Sequence, residues 1–347
     1  MGQARNKTLD IAKAICICLM VIGHSGCPEY ISNFVYMFHM PCFFFISGWL
    51  LKPKYISNLK EGIIKKAKGT YWPFVKWSII FLAFHNIFAF LNIYDNNYTL
   101  HEFGIKSLRI LTLTGSESLL GGFWFLISLF WASIITLTVF HFLNKWHKLS
   151  TRMMLFTIAC ILIVASNIHF ITFKIPQQFH EQTLSATAFF MMAYLLNTLK
   201  FEKYFSLKIA GLFFIIPIIL AIFVHWGMIE CRGFYVIPYF IVALLGTIGV
   251  FCISAGLNKC KLADIFVYIG NKTLYILIFH FLAFKLVSFI YIKYNNLPFE
   301  YLSQFPTLKE TPSFLWIIYS LIGITIPLII WETFQLKNFK HFKIIKE

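Results

Sequence analysis

Apolar residues run along this chain in ten long stretches with few charges, at 9–26, 34–51, 74–94, 119–140, 153–173, 183–199, 209–226, 234–256, 273–292 and 314–333. Each has about the 17–25 residues that a helix needs to cross a bilayer. None alternates apolar and polar positions as a half-buried strand does. The pattern predicts an all-α integral membrane protein, with about ten transmembrane helices in one bundle.

No Pro/Ser-rich linker, low-complexity tract or repeat interrupts the series, and nothing outside it is long enough to fold alone. Residues 1–347 therefore read as a single multi-pass domain. Composition agrees: the chain is 59% hydrophobic, where an ordinary soluble domain is roughly 45–50% apolar. The first apolar run resembles a secretory signal, but Asp10, Lys13 and His24 interrupt it and no small-x-small cleavage site follows, so it is expected to stay attached.

An even number of spans puts both termini on one side, and basic residues should gather in the loops of the cytoplasmic side. Arg5, Lys7, the group Lys52, Lys54, Lys60, Lys65, Lys66, Lys68 and Lys76, then Lys145, Lys148, Arg152, Lys200, Lys203, Lys208, Lys259, Lys261, Lys272, Lys337, Lys340, Lys343 and Lys346 fall on the terminal side. The opposite loops hold only Lys106, Arg109, Lys174, Arg232, Lys293 and Lys309. Both termini are thus expected in the cytoplasm. The net charge of +16 reads as an orientation signal that also attracts anionic headgroups of the lipid bilayer, and no nucleic acid is expected as a partner.

Within residues 52–76, Ile56, Leu59, Ile63 and Ile64 recur at helical spacing among lysines, the pattern of an amphipathic surface helix. Residues 92–118 and 293–313 form the long loops on the opposite side. Cys27 and Cys231 lie near that side and are expected to be free thiols, the alternative being a disulfide in an oxidising compartment.

Polar positions inside the spans carry the candidate chemistry. A helix advances about 100° and 1.5 Å per residue, so Asp10, Lys13 and His24 share one face, with His24 about 16 Å deeper than Lys13. Ionisable groups within a span are costly and face a protein interior or watery cavity. Two readings are open: an interfacial Asp10–Lys13 pair with a histidine bonded to a neighbouring helix, or a polar path that leads to His24 as a proton acceptor.

The blocks LDIAKAICICLMVIGH, FVYMFHMPCFFFISGWLL, GGFWFLISLFW and TLYILIFHFL, in that order, resemble the recurring blocks of the membrane-bound acyltransferase 3 family, and the resemblance covers nearly the whole chain. It implies a bacterial inner (plasma) membrane protein that takes an acyl group, acetyl from cytoplasmic acetyl-CoA, and passes it to a hydroxyl of a glycan or lipid-linked sugar. The family's first-helix signature is a basic residue, ten others, then histidine, which falls here on Lys13 and His24. Lysine stands where arginine is common, which leaves open whether Lys13 contacts a phosphate or pairs with Asp10. His24, Asp10 and Lys13 are the candidate catalytic residues.

His39 and Ser47 are candidates for binding donor or acceptor: His39 opens the second span at about the depth of His24, where the two can meet, and Ser47 with Gly48 also forms a small pair suited to close packing. Lys65, Lys66 and Lys68 precede the third span, where the family carries paired basic residues. They either bind the phosphates of acyl-CoA as point charges or form a solvated charge run. Trp124 either stacks on a sugar or serves as an interfacial tryptophan. His280 reads as a packing or a ligand-binding histidine, and Lys285 needs an interior partner, for which Glu230 is a candidate.

No HExxH, CxxC, P-loop or GxSxG string occurs, so no metal is expected. The 14 residues after the last span are expected to leave no room for the ester-transfer domain that some longer relatives carry. The expectation is an acyl-CoA-dependent O-acyltransferase. Its rival is a transporter or flippase for an anionic or sugar-lipid substrate, which predicts the matched, broken half-repeats that this sequence lacks.

Overall fold

The computed structural model describes residues 6–146, 149–168 and 176–344, with side chains to residue 335 apart from that of residue 177. Arg5, Lys148, Lys174, Lys346 and the end of the expected 153–173 span lie outside the described residues, as do the side chains of Lys337, Lys340 and Lys343. Helices follow in the order α1 (Lys7–His24), α2 (Glu29–Tyr36), α3 (His39–Trp49), α4 (Pro53–Ser57), α5 (Leu59–Lys66), α6 (Trp72–Ala83), α7 (His85–Phe90) and α8 (Leu100–Leu111). They continue with α9 (Trp124–Trp146), α10 (Thr151–Asn167), α11 (Glu181–Thr198), α12 (Leu207–Phe223), α13 (Val236–Leu257), α14 (Ala263–Gly270), α15 (Thr273–Tyr294) and α16 (Leu315–Ile344). Among the described residues there is no strand.

Five helical stretches are long and apolar enough to cross a membrane: Glu29–Trp49, Ser118–Trp146, Gly233–Leu257, Thr273–Tyr294 and Leu315–Gln335. The other expected spans fall on α1, α10, α11 and α12, of 17 or 18 residues each, and on α6 with α7, which break apart at Phe84. On α12, Leu212, Ile215, Ile216, Ile218, Ile219, Ile222 and Phe223 are exposed. Apolar surface on that scale marks a contact with lipid or protein, and with so many apolar helices the molecule is a multi-pass membrane protein.

The start of α1 is legible in its sequence: Asn6 caps it by accepting from the Leu9 N–H, and Asp10 in the first turn suits the helix dipole. Packed against α2, α3, α13, α14, α15 and α16, α1 lies at the centre of the bundle. Two glycines permit the closest approaches. A Cβ on Gly270 would collide with the Asp10 carbonyl oxygen, and one on Gly48 with that of Phe190; α14 thus rides on α1, and α3 on α11.

The segment 92–118 is more structured than a loop. Its α8 begins with a Thr99–Glu102 capping box, and its far end is tied down by Glu117, whose carboxylate lies 2.7 Å from His85 Nδ1. The His85 ring stacks on Tyr98 at 3.4 Å. The amphipathic stretch after residue 52 is α4, α5 and a π-helical turn; Ile56 is buried as its pattern suggests, whereas Ile64 is exposed. Cys27 and Cys231 are free thiols.

Candidate active site

Polar groups on one face of α1 open into two separate cavities. Near its start, Asp10 is buried and Lys13 Nζ donates to Asp10 Oδ1 at 2.8 Å. The pair lines a cavity of about 620 Å³ together with Asn6, Lys52, Asn197 and Glu202. Lys52, read from sequence only as an orientation signal, is thus part of this site.

At the other end, His24 occupies the last turn of α1 and lines a cavity of about 150 Å³ with Tyr36, His39, Trp124, Glu230, Gly122, Met20, Met40 and Leu277. The chain breaks between α2 and α3 at Met37 and Phe38, and this break sets His39. Its Nδ1 lies 2.8 Å from the Val35 carbonyl oxygen. A carbonyl only accepts, so the His39 proton sits on Nδ1 and Nε2 is bare.

His280, on α15, repeats the arrangement, with Nδ1 3.0 Å from the carbonyl oxygens of both Ile276 and Leu277. Its Nε2 is buried with no hydrogen-bond partner among the described residues. The His280 and His24 rings stack with centroids 5.7 Å apart, and Phe281 packs against both, at 3.9 Å and 5.1 Å. His280 therefore backs His24 from within the bundle while His24 faces the cavity. Bare nitrogens beside a small, partly apolar space are suited to taking a proton from a hydroxyl. Among the described residues, no three His, Cys, Asp or Glu side chains gather as metal ligands would.

Of the residues singled out by sequence, His24, His39 and Trp124 meet at one cavity with His280 behind, and Asp10 and Lys13 meet at the other. Ser47 lines neither; its hydroxyl donates to the Phe43 carbonyl at 2.9 Å, one residue before the glycine that packs on α11. The three lysines before α6 do not share one surrounding. Lys65 and Lys68 are exposed, while Lys66 is half-buried with its ammonium 4.8 Å from the Phe190 ring centre. Burial, and then the charge of Lys65, lower the Lys66 pKa to about 8.

Lys285 is held differently from the sequence expectation. Its ammonium donates to the carbonyls of Leu302 at 2.8 Å and Gln304 at 2.6 Å, not to Glu230. The carbonyls come from a turn that only the tertiary fold brings over α15. Glu230 instead lines the His24 cavity.

Sequence reasoning missed Tyr36, Glu230 and Gly122 as cavity residues. Tyr36 left a weak signal, a hydroxyl three residues before His39 in an aromatic run. Glu230 lies in a short connection, where nothing in the pattern gives direction.

The family model described as "Acyltransferase domain" matches residues 6–332, which include both cavities. The chain belongs to the acyltransferase 3 family. A relative of the chain is the Nodulation protein NolL of Mesorhizobium japonicum, 27% identical over 158 residues, a stretch covering 42% of this chain and 38% of that protein. The chain thus spans well under half the length of that relative in the match. No solved structure matches the chain. Within this multi-pass membrane protein, His24, Lys13 and their two cavities lie in the region matched to the family.

Proposed function

We propose that this membrane acyltransferase moves acetyl from cytoplasmic acetyl-CoA to a hydroxyl of an extracytoplasmic glycan or lipid-linked sugar, with His24 as the general base. The observation that carries this reading is the pair of cavities on one face of α1, a large polar one with the Asp10–Lys13 pair and a small one lined by three ring systems around His24. In this reading the chain crosses the membrane about ten times, both termini are cytoplasmic, and the Lys13 end faces the donor.

The phosphates of the donor engage Lys13 and Lys52, with Lys65, Lys66 and Lys68 on the approach, and the thioester arm reaches along α1. As the acceptor oxygen attacks the thioester carbonyl, its proton passes to the imidazole. The tetrahedral intermediate then expels the thiolate of coenzyme A by breaking the C–S bond, and the imidazolium returns the proton to that sulfur. The products are an ester and free coenzyme A. A route in which His24 carries the acetyl group transiently uses the same position. Trp124 offers a stacking face to a sugar ring, and Glu230 an acceptor for its hydroxyls.

Mass spectrometry of surface glycans from cells with and without the intact gene tests the reaction. The expected result is an acetyl ester present only with the gene. Unchanged glycan acetylation, with a sugar-lipid stranded on one side of the membrane when the gene is lost, would instead identify a transporter or flippase. Reporter fusions test the orientation: residues 52–76 and the C-terminus should report inside, and 92–118 and 293–313 outside. A C-terminus that reports outside removes the two-sided access.

A further inference from the structure

We infer that Tyr36 is a positioning residue, whose hydroxyl fixes the tautomer of His24 so that Nδ1 carries the proton and Nε2 is the bare nitrogen offered to the acceptor hydroxyl. The inference rests on the general-base reading of His24 given above. It comes from two distances. The Tyr36 hydroxyl lies 2.8 Å from the Gly23 carbonyl oxygen and 3.3 Å from His24 Nδ1.

A phenol has one proton to give, and a carbonyl oxygen can only accept. The shorter contact therefore consumes the Tyr36 proton. What the same oxygen still offers to Nδ1 is a lone pair, so this contact is made only when Nδ1 is the protonated nitrogen. The imidazole is left with a bare Nε2, the form that can take a proton. A third group that orients a base in this way acts through the base and not on the substrate.

The surroundings hold Tyr36 where this logic needs it. Tyr36 is the last residue of α2, just before the break that separates it from α3. Its ring lies close against Gly23, where a Cβ would sit 3.1 Å from Tyr36 Cε1. The absence of a side chain at position 23 thus lets the ring reach the carbonyl. On its other sides the ring touches His39, with centroids 5.4 Å apart, and His225, at 5.9 Å. His39 and His280 reach the Nδ1-protonated form through backbone carbonyls four residues back in the chain. For His24, the Tyr36 hydroxyl does the same task from another helix.

The test measures transfer and tautomer separately. In Tyr36→Phe, which keeps the ring and removes the hydroxyl, kcat should fall by about tenfold or more with the KM for acetyl-CoA unchanged. That loss stays short of the roughly 100- to 10,000-fold loss of a missing base. Histidine ¹⁵N spectra of the unaltered protein in lipid nanodiscs, with the His24 signals assigned by their absence in His24→Ala, should show a protonated Nδ1 and a bare Nε2. The same spectra of Tyr36→Phe should show both tautomers.

An Nε2-protonated His24 in the unaltered protein overturns the inference even if the variant fails to fold. So does a folded Tyr36→Phe with unchanged kcat while His24→Ala is inactive, a result that leaves the general-base reading standing. Near-normal transfer by His24→Ala overturns both.

Discussion

The two ends of α1 present polar groups on the same face and treat them in opposite ways. At the Lys13 end charge is kept: a carboxylate and an ammonium in contact, with Lys52 and Glu202 on the walls of a cavity of about 620 Å³. At the His24 end a phenol and two further imidazoles surround the ring, and methionine, leucine and one carboxylate, Glu230, share the walls of a cavity of about 150 Å³. The difference teaches a division of labour. In the proposed reading, point charges in a roomy polar space suit an anionic group, whereas a smaller, partly apolar space makes each hydrogen bond count for more and suits a proton transfer.

The strongest way to break this comparison is His24→Ala. Transfer should fall by roughly 100- to 10,000-fold, while acetyl-CoA binding, measured by calorimetry on the purified protein, stays unchanged. A variant that transfers at a near-normal rate per folded molecule would make the two ends equivalent scaffolding.

The converse substitution is Lys13→Met. A hydrogen bond to a charged group is worth about 1.5–3 kcal/mol, so donor affinity should drop by about 10- to 100-fold, whereas the rate at saturating donor changes little. Equal losses in kcat and in affinity would erase the division. Lys13→Arg keeps the charge and should retain most of the binding.

A smaller effect sharpens the donor side. Lys66 has its pKa lowered to about 8, so it is charged below that pH and becomes neutral as the pH rises through it. If it meets a donor phosphate, the KM for acetyl-CoA should rise a few-fold, on the order of one weak ion pair, between pH 7 and pH 9. In Lys66→Arg, which stays charged throughout, the rise should vanish. A KM that is flat with pH in the unaltered protein assigns Lys66 to the bilayer surface and not to the donor.

Much of the scaffold was legible in the chain. Apolar run length located the helices because a bilayer imposes one length on every crossing. The shared face of Asp10, Lys13 and His24 followed from the rise and turn of a single helix. Other features were not legible. The apolar run at 34–51 reads as one helix but is broken at Met37 and Phe38; its one local mark is Pro41, which has no N–H for the Met37 carbonyl and crowds it, a signal that equally suits a proline in the first turn of a helix. The partner of Lys285 was misread because backbone carbonyls at 302 and 304 leave no trace in side-chain identity.

The sequence by itself determined what depends on one helix at a time: an all-helical membrane chain, the acyltransferase 3 resemblance, and a histidine about 16 Å along the helix from a lysine on the same face. Only the tertiary structure decided what depends on several helices meeting. It brought His280 of α15 to within 5.7 Å of the His24 ring, set the Tyr36 hydroxyl 3.3 Å from His24 Nδ1, and left Ser47 and the exposed Lys65 and Lys68 outside both cavities. The physical reason is that spacing along a helix fixes direction and depth but not the neighbour. Which side chain fills the space opposite is settled by close packing, at contacts such as Gly48 against Phe190 and Gly270 against Asp10, where the absence of one Cβ sets how near two helices come.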